Sequence, residues 1–153
     1  MKRTIATVLI IAALVSLGAC GAAPEEKNID LNALYEGYAD RLPAMMVLDE
    51  TTMLHFLGIR AEDCSEFVTA ICMGGLEADE IWLIKAKDEK ALESLKQLAE
   101  SRMNAKLDET VSYNPEQYAI VQKGEILTNG LYLAFLVSPH VDSMKADFEN
   151  AFN

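Results

Sequence analysis

The first 20 residues decide how much of this chain is available to fold. Lys2 and Arg3 supply a short positive start, and Ile5 to Leu17 then runs apolar except for Thr7 and Ser16. That run is shorter than the roughly 20 residues needed to cross a hydrocarbon core, and it has the layout of a secretion signal. It ends in Leu17-Gly18-Ala19-Cys20, and no second apolar stretch of spanning length follows.

Small residues ahead of a cleavage point let a chain lie extended in a peptidase groove. The cysteine directly after them resembles the lipobox of bacterial lipoproteins. That resemblance implies a lipid on the Cys20 thiol, cleavage at its amino side, and a mature protein on the extracytoplasmic face of the cell membrane. The expected organisation is a signal peptide at 1-19, a lipidated tether at 20-28 and a single α+β domain at 29-153. Removing 19 of 153 residues leaves 134, enough for one domain with a real core and too few for two. Lys2 and Arg3 leave with the signal, so 11 basic side chains face 24 acidic ones, a net charge of −13. Such acidity excludes nucleic acid as a partner, which needs a basic footprint. It serves solubility outside the cell. Eight tether residues, Gly21 to Asn28, reach less than about 30 Å, which keeps the domain close to the membrane.

Behind the tether, Leu31, Leu34, Tyr35, Tyr38 and Leu42 fall on one helical stripe that Pro43 stops. Ala44 to Leu48 reads as an edge strand. Asp49 then looks like an N-cap, with Leu48 and Met53 as a hydrophobic staple and Gly58 as the C-terminal cap. Met53, Leu54 and Leu57 are expected to face inward. Glu66 to Met73 reads as a strand, Gly74-Gly75 as a reversal, and Ile81 to Ile84 as a central strand with both faces apolar. Asp88 caps a long helix with Leu92, Leu95, Ala99, Met103 and Leu107 on one face. Asn114-Pro115 opens a short helix to about Val121. Asn129-Gly130 reads as a two-residue hairpin turn. Ser138-Pro139 starts a last helix whose stripe is Val141, Met144, Phe148, Ala151 and Phe152. Hairpins rather than crossovers join the strands. The expected fold is therefore α+β in two layers, a mainly antiparallel sheet from two β-hairpins with helices packed on one face. A hairpin followed by a helix occurs twice, without enough matching residues to make a repeat.

Three segments carry a family resemblance: Leu42-Pro43-Ala44-Met45-Met46-Val47-Leu48-Asp49, then Glu80-Ile81-Trp82-Leu83-Ile84-Lys85-Ala86-Lys87-Asp88, then Tyr113-Asn114-Pro115-Glu116-Gln117-Tyr118 before a hairpin ending Val137-Ser138-Pro139. In this order, and behind a lipoprotein signal, they resemble domain-of-unknown-function family 4358, small lipoproteins of Gram-positive bacteria. The family has no established activity, so the resemblance implies an address and a fold and carries over no catalytic residue. Cys72-Met73-Gly74-Gly75 departs from the apolar, Met-rich residues that the family pattern leads one to expect there.

The residues that could carry chemistry are few. Cys64 and Cys72 are the thiols left once Cys20 is lipidated. An extended strand between them separates their α-carbons by more than about 20 Å, against the 7 Å that a disulfide tolerates. Two free thiols follow, with Cys72 buried as an apolar residue. His55 and His140 belong to no metal-ligand spacing and read as surface histidines. The acidic pairs Asp49-Glu50, Glu62-Asp63, Asp79-Glu80, Asp88-Glu89 and Asp108-Glu109 mostly fall at element ends, where carboxylates suit helix N-termini. None reproduces a calcium loop. The sequence thus assigns Cys20 as the lipid-attachment site and no catalytic, cofactor or metal residue. Two functions remain open. One is a non-enzymatic binding or assembly module of the cell envelope, which leaves room for an envelope protein as partner; Met45 and Met46 would contact it if exposed. The other is a small cell-envelope hydrolase whose carboxylates only the fold brings together.

Overall fold

A computed structural model of the protein describes residues 27–112 and 114–153. The expected signal peptide, Cys20 and the tether as far as residue 26 lie outside the described residues, as does Tyr113. Among the described residues, Met45–Val47 (β1), Cys64–Cys72 (β2), Glu80–Ala86 (β3), Glu125–Asn129 (β4) and Tyr132–Val137 (β5) form one sheet in the order β1-β2-β3-β5-β4. Every neighbouring pair is antiparallel. The helices are Leu31–Glu36 (α1), Glu50–Leu57 (α2), Glu89–Val111 (α3), Pro115–Gln122 (α4) and Val141–Asn150 (α5). The class is α+β, as expected. No helix among the described residues is long and apolar enough to cross a membrane.

The layering differs from the expectation of helices on one face. Both faces of the sheet are covered, because β3 and β5 are apolar on both sides. Trp82, Ile84, Leu133 and Phe135 pack under α2, α3 and α4, together with Met53, Leu57, Leu95, Ala99 and Val121. Ile81, Leu83, Tyr132, Ala134 and Leu136 pack on the other face, under α1 and α5, with Leu31, Tyr38, Val141, Met144 and Phe148. Each large apolar side chain taken out of water here contributes about 1.5–3 kcal/mol, so neither face could stay bare. Hairpins join only β2 to β3 and β4 to β5. Contrary to the expectation of hairpins without crossovers, α3 and α4 carry the chain from β3 past β5 to β4 at the edge. The connections do not fix which side the helices take.

Local rules account for most element boundaries. Asp30, Asp49, Asp88 and Asn114 each accept a hydrogen bond from the backbone N–H three residues on, the ordinary N-cap arrangement. Gly58 ends α2 at φ 71°, a left-handed conformation that favours glycine. Leu48 and Met53 flank the start of α2 and are both buried, as a staple requires. Three details depart from expectation. The first helix ends at Gly37, and a separate 3-10 turn, Ala39–Arg41, carries the chain to Pro43. Leu54 faces solvent, because Met53 and Leu57 already fill the inward side of a two-turn helix. In the last hairpin Asn129 pairs with Tyr132, so Gly130 and Leu131 form the loop, with Gly130 at φ 54°.

Candidate functional site

The Asp79-Glu80 pair does not sit at a helix N-terminus. It enters the central strand, and both residues are buried, Glu80 being only 1 % exposed. A carboxylate cannot remain charged there unless it is paired and hydrogen-bonded. Its partners come from α3, where Ala99, Arg102, Met103 and Lys106 lie at helical spacing on the side that faces the sheet. Ala99 is fully buried and small, which lets the helix approach closely. Arg102 then donates Nε to Glu80 Oε1 at 2.9 Å and Nη2 to Oε2 at 2.7 Å, a two-point grip. Lys106 Nζ donates to Oε2 at 3.0 Å, and Trp82 Nε1 donates to Oε1 at 3.0 Å. Trp82 is itself fixed by stacking on Phe135, with ring centres 4.6 Å apart. Burial alone would push the Glu80 carboxyl up. The Arg102 hydrogen bonds and the charges of Lys106 and Arg102 outweigh it and hold the group below its ordinary value.

Asp79 is treated differently. Its Oδ1 is buried without a hydrogen-bond partner among the described residues. Burial is the main influence and pushes its carboxyl up. Neighbouring residues on an extended chain project to opposite faces, so the two carboxyls do not form a working pair.

Lys106 also borders a cleft of about 250 Å³ between the residues 73–79 connection, the end of α3 and the start of α4. Leu76, Glu77, Glu109, Thr110, Asn114 and Gln117 line it with Lys106. Gln117 fixes the connection to α4 by accepting from the Ala78 N–H at 2.7 Å. Leu76, 83 % exposed, stands at the rim. Two carboxylates, Glu77 and Glu109, therefore share a concave surface, both at solvent-exposed positions. Glu77 Oε2 accepts from the Cys72 thiol at 2.9 Å.

The other residues singled out in the sequence are dispersed. Both Cys64 and Cys72 are free, at opposite ends of β2. Cys72 is half-buried and hydrogen-bonded rather than an apolar core residue, because its strand ends beside the polar connection. Burial pushes the Cys64 thiol up to about 11, and burial with the Glu77 hydrogen bond raises Cys72 as well. Neither is an activated thiolate. His55 lies exposed on α2 against Phe56, and His140 exposed at the start of α5; no hydrogen bond joins either to a cysteine among the described residues. No group of three or more His, Cys, Asp and Glu is arranged to hold a metal ion among the described residues. Met45 and Met46 are half-buried and pack against the two cores, one on each face. The cluster that sequence reasoning missed is Arg102 with Lys106. Two cations four residues apart on the apolar stripe of α3 were its visible sign.

Residues 38–138 match the model of a family described as a domain of unknown function, DUF4358. No curated protein and no solved structure matches the chain.

Proposed function

The chain belongs to the DUF4358 family, a domain of unknown function, and we propose that it is a lipid-anchored extracytoplasmic protein whose domain is a non-enzymatic binding or assembly module of the cell envelope. The lipobox-like residues ending at Cys20 support the address. The observation that carries the molecular role is the saturation of Glu80. Its oxygens accept from Trp82, Arg102 and Lys106, so the most deeply buried charges are committed to one another. They make a braced floor beside the cleft, and both oxygens of Glu80 are occupied by hydrogen bonds. The cleft itself offers amides, a hydroxyl and the apolar rim residue Leu76, which suits recognition of a surface.

A photo-crosslinking residue at Leu76 should give one discrete adduct in intact cells, absent when the probe replaces Glu100 on the exposed side of α3. Equal labelling from both positions would remove the cleft from the account. A second reading, a small hydrolase of the envelope, is favoured by Glu77 and Glu109 sharing the cleft. Paired catalytic carboxylates usually have one member in an apolar pocket, and these two are both at exposed positions. Release of soluble products from isolated envelopes, lost in Glu77→Gln or Glu109→Gln, would establish the hydrolase instead.

A further inference from the structure

The cleft beside α3 and α4 has a definite inventory of donors and acceptors. Gln117 Oε1 is taken by the Ala78 N–H at 2.7 Å, and Asn114 Oδ1 by the Gln117 N–H at 3.2 Å. What these two side chains offer a ligand is therefore their amide NH2 groups, which suit a carbonyl oxygen. Lys106 is the cation of the lining, and its ammonium is spent on Glu80 with the side chain only 9 % exposed. Glu77 and Glu109 line the same cleft at exposed positions. Neither forms an ion pair among the described residues. Arg102 feels the charge of Glu109, but its hydrogen bonds go to Glu80. Around the cleft the carboxylates of Glu77, Glu80 and Glu109 thus outnumber the cations of Arg102 and Lys106, and the two without a salt bridge are the ones that water reaches. The volume, about 250 Å³, is below the roughly 300–1,000 Å³ of sites that enclose a small molecule, and it suits one side chain of a larger partner.

We propose that the cleft captures a basic side chain, Arg or Lys, carried on an extended segment of a partner protein. The cation meets Glu77 and Glu109, main-chain carbonyls beside it accept from Asn114 and Gln117, and an apolar neighbour covers Leu76. This rests on the binding-module reading and names what the module binds.

The test is an NMR titration of the isotope-labelled mature chain with acetyl-Ala-Arg-Leu-Ala-amide and with its counterparts carrying Gln or Glu in place of Arg. The Arg peptide should move the amides of Leu76, Glu77, Glu109 and Gln117 to saturation, and the other two should bind more weakly. Glu77→Gln and Glu109→Gln should each weaken the Arg peptide roughly two- to fivefold, the worth of one exposed ion pair. Glu100→Gln, at an exposed position of α3 away from the cleft, should leave it unchanged. Equal weakening by all three variants, or shifts spread over the acidic surface, would show that net charge alone attracts the peptide and would overturn the site. So would the absence of any saturable shift. A Gln peptide held as tightly as the Arg peptide would overturn the cationic occupant and leave the module standing. Putrescine held as tightly would replace the peptide by a free cation. Loss of the Leu76 crosslink in cells, with the Arg peptide still bound in solution, would instead sink the module reading and leave the chemistry of the cleft intact.

Discussion

Replacing Glu80 by Gln keeps the shape of the side chain and removes its charge. Lys106, 9 % exposed at its side chain, and Arg102, 27 % exposed, would then lie near a neutral amide. The amide oxygen can still accept from Trp82 or Arg102. The amide nitrogen cannot accept from Lys106. Removing one member of a buried ion pair costs roughly 3–5 kcal/mol. Arg102 recovers some hydration, which places the loss near the lower end, about 3 kcal/mol. For a domain of this size that is a fall of about 10 °C in Tm. Circular dichroism melts of the mature chain at pH 7 measure it directly. Glu80 is held below its ordinary value of 4.5, so its contribution is complete above that pH and is lost as pH falls through the lower folded value. The gap between parent and Glu80→Gln should therefore narrow at low pH. Adding Lys106→Met removes the stranded ammonium and should return part of the loss. A Tm drop under about 3 °C, or a gap that does not narrow in acid, would refute the view that this cluster braces the fold.

Asp79 should behave with the opposite sign. Its carboxyl is pushed above the ordinary 3.8 by burial, so the folded state binds the proton more tightly and gains stability as pH falls through the raised value. Asp79→Asn should leave stability at pH 7 equal or higher, with the advantage shrinking in acid; a clear destabilisation at neutral pH would contradict this. Denatured mature protein, handled without reductant, should titrate with free Cys64 and Cys72. A cross-linked peptide joining them in mass spectra would overturn the pairing-free assignment.

Local chemistry made much of the fold legible. Asp49, Asp88 and Asn114 announce helix starts because a short polar side chain can satisfy an orphan N–H, and that rule acts over three residues. Gly58 was legible for the same local reason. The second helical layer was less so, although the double-sided apolarity of β3 and the stripe at Val141, Met144 and Phe148 contain it. Those facts act together only once strand order is known. The start of a strand at Glu80 was legible, but its burial was not, because its partners are a pair of cations 22 and 26 residues away on a different element. The cleft was not legible at all. Glu77, Glu109, Asn114 and Gln117 meet only through the packing of α3 on α4.

A domain that works while tethered by lipid at Cys20 must carry that lipid at the N-terminus of the cellular protein. Parent and Cys20→Ala proteins, expressed in a lipoprotein-processing bacterium, are compared by membrane fractionation with intact mass of the N-terminal peptide. A diacylglyceryl-bearing peptide that begins at Cys20 is expected in the parent membrane fraction, with loss of both lipid and membrane retention in Cys20→Ala. Equal retention of the two proteins, or a parent N-terminus that carries no lipid, would contradict the lipid tether.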